Sequence, residues 1–317
     1  MQLQTKMPLS KQPHHQITYD DKIVLLGSCF SENIGAKFEY FKFQNLINPF
    51  GILFHPLAIE TLITRAVNLD YYSEEDIHSN EENYFCFDAH SRLNTIEANA
   101  LVSDLNSRLD QTHQLLKEAS YLIITLGTAW VYHHLDTDAV VANCHKVPQK
   151  KFSKRLLTVD EISESLDASM ALVKSVNPNI NFIFTVSPVR HLKDGFVENS
   201  QSKAHLVSAV LQTVEPRFKR FYFPSYELMM DELRDYRFYD SDMIHPNDIA
   251  INYIWERFSD IWIADEAHKT MTEVATVQNG LAHRPFNPES EAHNTFLADL
   301  EWKKENLSSR HPHIQFG

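Results

Sequence analysis

Short apolar runs recur along this chain. Each is closed by a glycine or a small polar residue, and most are followed by a longer segment with apolar positions at helical spacing. The first, Lys22-Ile23-Val24-Leu25-Leu26-Gly27, reads as a buried strand, and Ser31-Glu32-Asn33 opens a helix predicted to reach residue 43. A short second strand is expected over 45–47, then a helix over 56–68 that begins at a proline. Residues 74–83 are acidic and polar and read as a surface loop, before a strand over 84–87 and a long amphipathic helix over 98–118. The pattern then repeats: a buried strand over 121–126, a hairpin over 131–141, and a helix to residue 176 opened by the capping-box spacing of Thr158 and Glu161. A strand over 181–186, a helix over 200–214, a strand over 221–223 and a helix from Pro246 to residue 258 complete the series.

Strands that alternate with helices of this length predict an α/β fold with a mostly parallel central sheet. Residues 1–20, polar and carrying Pro8 and Pro13, read as an extended arm; 21–263 form the main domain; 264–317 form a more polar C-terminal extension packed on the core. Ser28, Gly51, the pair Gly127 and Thr128, and the pair Ser187 and Arg190 each follow a predicted strand. They therefore share the carboxyl edge of the sheet, where open α/β folds bind ligands.

Two of these stretches carry candidate chemistry. Ser28 lies on a tight strand-to-helix turn, where backbone N–H groups at the helix N-terminus could hold a developing oxyanion. A helix-capping role for the same serine is the plainer reading. Asp242-Met243-Ile244-His245 precedes Pro246, and a histidine base needs a carboxylate to fix its tautomer and support the imidazolium. Against this, both residues could simply cap the helix after Pro246. Cys29 offers a rival thiol nucleophile, although its side chain leaves the turn in a different direction from that of Ser28. His133, His134, Cys144 and His145 invite a zinc reading but lack paired ligands at structural-site spacing, so no metal is expected. Asn143, His145, Arg190 and His191 are candidate substrate-binding residues, since an arginine and histidines at a strand edge can hold a carboxylate, a phosphate or sugar hydroxyls. Tyr222, Tyr226, Tyr236 and Tyr239 pack the core and rim, or wall a sugar site near His245.

Composition narrows the partners. Of 317 residues, 42 are acidic and 29 basic, a net charge of −13 that argues against nucleic acid or an anionic membrane; the basic cluster between Lys146 and Arg155 is short and solvated. Three cysteines cannot form a closed disulfide framework, and no signal peptide is visible at the N-terminus, so a cytoplasmic location is expected. Oligomeric state is left open.

A serine just after the first strand, with Asp-x-x-His just before the last core helix, resembles the SGNH/GDSL hydrolase superfamily. More narrowly, Gly27-Ser28-Cys29-Phe30-Ser31 resembles the motif for which the GSCFA family is named. Asn48-Pro49-Phe50-Gly51, Leu126-Gly127-Thr128-Ala129-Trp130, Asn143-Cys144-His145-Lys146, Ser187-Pro188-Val189-Arg190-His191 and Asp242-Met243-Ile244-His245-Pro246 resemble the same family. The superfamily resemblance implies a three-layer α/β/α sandwich and cofactor-free hydrolysis of an ester, of a small molecule or a carbohydrate. Ser28 matches the nucleophile, His245 the base and Asp242 its orienting carboxylate, with Ser28, Gly51 and Thr128 at the oxyanion positions. There are departures. Leu26-Gly27-Ser28 stands where the superfamily has Gly-Asp-Ser, and Ala129 stands where it has the asparagine whose amide reaches the oxyanion. The Thr128 hydroxyl, the Trp130 indole or the Asn143 amide could substitute. An acyltransferase using the same serine, or a weakly active relative that binds a glycan or acyl ligand, are the alternatives.

Overall fold

Ile23 to Leu26 are fully buried because the first strand runs between two helical layers. The computed structural model describes residues 5–80 and 83–316. In chain order its elements are β1 (Lys22–Gly27), α1 (Cys29–Tyr40), β2 (Gln44–Ile47), α2 (Pro56–Asn68), the short β3 (His78–Ser79) and β4 (Tyr84–Phe85), and α3 (Ala98–Glu118). Then come β5 (Tyr121–Leu126), β6 (Trp130–His134), β7 (Ala139–Val141), β8 (Phe152–Leu156), α4 (Val159–Val176), β9 (Asn181–Val186), α5 (Phe196–Thr213) and β10 (Arg220–Tyr222). The single turn α6 (Ser225–Glu227) continues into a π-helical turn over Leu228–Leu233, and α7 (Asp248–Trp262), α8 (Asp265–Ala282) and α9 (Glu291–Arg310) follow.

The main sheet has the order β2-β1-β5-β9-β10, and every pairing is parallel. Strand side chains alternate between its faces. Val24, Leu26, Leu122, Ile124, Phe182 and Phe184 pack under α2, α3, α4 and α5. Ile23, Leu25, Tyr121, Ile123 and Ile183 pack under α1, α7 and the C-terminal helices. This is the three-layer sandwich expected. The chain leaves β1 for β2 on one side and later returns to β5 on the other, so strand order reverses between β1 and β5. That reversal opens a crevice at their carboxyl ends.

Several boundaries differ from expectation for local reasons. The first helix begins at Cys29 because Ser28 is itself the cap. The helix expected over 200–214 begins at Phe196: Gly195, at φ 114°, admits the chain there, and exposed Phe196 and Val197 carry no amphipathic signal. The last core helix begins at Asp248, with Asn247 accepting from the Ala250 N–H at 3.2 Å. The strand β8 pairs with β6 although Ser153, Lys154 and Arg155 at its centre are polar. Within the loop expected over 74–83, a 3₁₀ turn spans Glu74–Asp76 and β3 follows, while residues 81 and 82 lie outside the described residues. The N-terminal arm, described from residue 5, is tied down where Ile17 pairs with Ile263. In the C-terminal region Val274, Val277, Leu300 and Leu307 enter the core on the α1 side of the sheet. Among the described residues no helix is long and apolar enough to cross a membrane.

Candidate active site

Gly27 ends β1 at φ 134°, and a β-carbon there would collide with the Thr125 carbonyl of β5. Only glycine tolerates both the dihedral and the approach. The turn delivers Ser28 to the N-cap of α1, fully buried, with its Oγ accepting from the Phe30 N–H at 3.3 Å. The capping reading of Ser28 therefore holds. The turn is braced from the side by Asn48, whose Oδ1 accepts from the Gly27 N–H at 2.9 Å. Gly127, at the end of β5, faces the same spot. A β-carbon on it would lie 3.2 Å from Ser28 Cβ, 3.2 Å from His191 Nε2 and 3.0 Å from the Phe54 carbonyl oxygen. Ser28 and His191 thus both border Gly127, at the point where strand order reverses.

Asp242 and His245 form a closed unit on the bend before α7. Met243 adopts φ 59°, and its N–H donates to the Asp240 carbonyl at 2.9 Å. Asp242 Oδ1 accepts from the amides of Ile244 (2.8 Å) and His245 (3.0 Å), and its Oδ2 accepts from His245 Nδ1 at 2.6 Å. The His245 amide, the imidazole and the Ile244 amide hold the Asp242 carboxyl down at about 2. With Nδ1 committed to the carboxylate, Nε2 is the nitrogen left to act as a base. Helix capping belongs to Asn247, so capping does not account for the pair. The bend docks on the loop after β9 through the Arg190 N–H and the Ile244 carbonyl, 3.4 Å apart. His245 shares a groove with Cys29, Glu32 and Asn33 at the start of α1. Ser28 Oγ and His245 make no direct hydrogen bond; their partners are the Phe30 amide and Asp242.

The amides at the expected oxyanion positions are all engaged. Parallel pairing with β5 continues one residue past β1, so the Ser28 N–H donates to the Thr125 carbonyl at 3.0 Å. The Gly51 N–H closes a turn on the Asn48 carbonyl at 2.8 Å, and the Thr128 N–H donates to the Phe54 carbonyl at 3.0 Å. The Thr128 hydroxyl lies 3.1 Å from Ser202 Oγ and accepts from the Trp130 N–H, and the Trp130 indole donates to the Glu198 carbonyl at 3.1 Å.

Asn143 and His145 fall in a different environment. His145 stacks on Phe85, its Nε2 lies 3.0 Å from the Ala89 carbonyl, and burial pushes its imidazole down to about 4. Asn143 Oδ1 receives the His145 N–H at 2.9 Å. These contacts tie His145 into the aromatic cluster of Phe85, Phe87 and Phe152 and away from the serine. Burial raises the Cys29 thiol above its ordinary range, which keeps it protonated and a poor nucleophile. Among the described residues no group of three or more His, Cys, Asp or Glu could hold a metal.

Arg190 and Tyr239 line a cleft of about 230 Å³ with Phe196, Arg234, Tyr236 and Met243, beside the Asp242–His245 bend. Neither Arg190 nor Arg234 forms an ion pair among the described residues. Sequence reasoning missed Lys203. On α5 it reads as a solvent-facing lysine, yet it is 1% exposed and its Nζ donates to the Gly127 and Ser187 carbonyls, each at 2.7 Å. Those carbonyls end β5 and β9, so one ammonium clamps both strand ends beneath the serine. Burial without a carboxylate partner lowers Lys203 to about 7. No motif marks such a residue.

Three solved structures resemble the chain in part. One is a carbohydrate esterase family 3 protein from Talaromyces cellulolyticus (9% identity, TM-score 0.38, covering 81% of this chain and 99% of that one). Another is an acetyl esterase mutant with an acetate ion (9%, TM-score 0.34, 81% and 99%). The third is an acetyl xylan esterase from the rumen bacterium Butyrivibrio proteoclasticus (11%, TM-score 0.38, 84% and 65%). No curated protein matches the sequence significantly. The C-terminal domain described for GSCFA domain proteins matches residues 274–317. The GSCFA family itself matches residues 22–258, the whole of the sheet and both halves of the candidate site, and the chain belongs to that family.

Proposed function

We propose that this protein is a serine hydrolase of the SGNH type acting on an acyl or acetyl ester, with a carbohydrate as the favoured alcohol. Ser28 is the nucleophile, His245 the base, and Asp242 the carboxylate that orients it. The observation that carries this reading is the Asp242–His245 pair: a 2.6 Å contact to Nδ1, with the other carboxylate oxygen pinned by two amides, on a bend facing the start of α1. Such a pair leaves Nε2 as the only basic nitrogen, which a helix cap does not require.

In the working enzyme Ser28 Oγ rotates off the Phe30 amide toward His245 and gives up its proton as it attacks the ester carbonyl. Collapse breaks the bond to the alcohol, which takes that proton from His245, and water then clears the acyl-serine by the same steps in reverse. The cleft lined by Arg190, Tyr236 and Tyr239 receives the sugar, with aromatic faces against the ring and the guanidinium on a carboxylate or hydroxyl. With the amides of Ser28, Gly51 and Thr128 held by carbonyls, the oxyanion needs a further donor.

The enclosure of Ser28 and those engaged amides favour a second reading, a relative that binds a glycan or acyl ligand with little turnover. An acyltransferase would use the same serine with an alcohol in place of water. The test is hydrolysis of 4-nitrophenyl acetate and of acetylated monosaccharides by wild type, Ser28→Ala and His245→Ala. Turnover that falls ~1,000-fold or more in both variants is expected. A folded wild type without turnover that still binds the deacetylated sugars would leave the second reading in its place.

A further inference from the structure

Besides Asn48 Nδ2 on the Gly27 side, a second buried nitrogen without a hydrogen-bond partner flanks the serine turn: His191 Nε2. Its position is built rather than accidental. The His191 backbone N–H donates at 2.8 Å to Oδ1 of Asn199, a residue 2% exposed, and the ring meets Phe54 edge-on at 5.4 Å and 83°. The absence of a side chain on Gly127 leaves room for both groups: Nε2 and Ser28 Cβ each lie 3.2 Å from where its β-carbon would sit. Buried polar atoms are almost always paired, and an exception next to a candidate nucleophile points to a partner that arrives with the substrate.

Two roles are open to an imidazole nitrogen in this place, and charge decides between them. A base must become an imidazolium. His191 has no carboxylate to support that charge; burial, the Lys203 ammonium and His245 all oppose it, holding the ring neutral down to about 3. The base already present, His245, has its carboxylate. What a ring locked in the neutral form can offer is an N–H, and a donor without a resting acceptor has no bond to give up when negative charge develops. Neutral imidazoles serve as electrophiles in this way when their surroundings disfavour protonation.

We infer that His191, donating from Nε2, supplies the oxyanion contact that the asparagine amide makes in the superfamily and that Ala129 cannot make here. The inference rests on the esterase reading above. As Ser28 Oγ bonds to the carbonyl carbon, its proton passes to His245 Nε2 and the carbonyl π pair moves onto oxygen. That oxygen accepts the His191 N–H, and collapse of the adduct returns the pair and releases the alcohol with the proton from His245. His191 keeps its own proton throughout.

The test compares His191→Phe, His191→Gln and wild type on one acetyl ester, with rates of fluorophosphonate labelling and affinity for a boronic acid that mimics the tetrahedral adduct. Loss of one oxyanion donor typically costs ~100- to 1,000-fold in kcat, so His191→Phe should lose about that much with KM within about twofold. Boronate affinity should fall in step with kcat/KM, and His191→Gln, which keeps an N–H donor, should recover at least about tenfold of the loss. Phenylalanine and glutamine variants that lose equally, or a folded His191→Phe with wild-type kcat, would overturn the role while leaving the esterase reading intact. A wild type that is neither labelled nor active overturns both. An independent readout is the ring tautomer by NMR of ¹⁵N-histidine protein: His191 should be neutral with the proton on Nε2, and a proton on Nδ1 would refute the assignment whatever the activities.

Discussion

The sharpest energetic consequence of this fold concerns Lys203. Replacing it with methionine keeps the length of the side chain, removes the ammonium, and leaves the Gly127 and Ser187 carbonyls without their 2.7 Å donors. In the folded protein Lys203 titrates near 7, against 10.5 for a free lysine, because burial penalises the charged form. Between those values the unfolded chain holds a proton that the folded chain has released, so this residue makes stability rise with pH from about 7 to about 10.5. Each pH unit in that window corresponds to ~1.4 kcal/mol, so the contribution grows by about 2.5 kcal/mol between pH 6 and pH 9. Other titrating groups are common to both proteins and cancel in the comparison. Urea unfolding of wild type and Lys203→Met at pH 6 and pH 9 should therefore show the wild type gaining about 2.5 kcal/mol on the variant at the higher pH. A difference that is the same at both pH values would mean that Lys203 is not buried as described, and the clamp on the two strand ends would fall with it.

Three other outcomes follow from the same geometry. Gly27→Ala should cost roughly 4 kcal/mol or more, because the new methyl must displace the Thr125 backbone as well as hold φ 134°; a variant as stable as wild type in urea would refute the turn that delivers Ser28. His145 is buried and titrates near 4, below the ordinary 6.5, so its contribution to stability is present above about 6.5 and is lost as pH falls toward 4. His145→Phe should remove about 2 kcal/mol of the stability lost between pH 7 and pH 5, and an unchanged acid slope in chemical denaturation would count against its burial. Arg190→Gln should raise KM roughly tenfold for an acylated sugar that carries a carboxylate and leave a small neutral ester unaffected; equal effects on both would remove Arg190 from the substrate cleft.

Much of the sheet was legible because its strands are short and wholly apolar. The runs over 121–126 and 181–186 are buried on both faces, and periodicity needs no help to find such strands. The helix over 56–68 carried both its opening proline and its apolar spacing. What escaped was β8, whose polar centre conceals its pairing with β6, and the early start of α5, set by a glycine dihedral that composition does not reveal. The site divides in the same way. Asp242 and His245 are three residues apart and sit on one bend, so their contact is local and the sequence spacing announces it. Ser28, His191 and Lys203 gather around Gly127 only because β1, β5 and β9 end side by side, and nothing in the local sequence of α5 says that its lysine points under the sheet edge. His145 shows the converse: it lies in a family-like motif, yet packing against Phe85 and Phe87 turns it inward. Pairing with β5 engages the Ser28 amide, a tertiary contact that the local sequence does not announce, while the Gly51 amide closes a local turn on Asn48.

The most direct test of the central claim is covalent. Purified protein treated with a fluorophosphonate should gain the mass of one adduct, and peptide mapping should place it on Ser28. Ser28→Ala should gain none, and His245→Ala should react at least ~100-fold more slowly, since the serine would have lost its base. A folded wild type that takes up no probe, or an adduct that maps elsewhere, would contradict the assignment of Ser28 as the nucleophile.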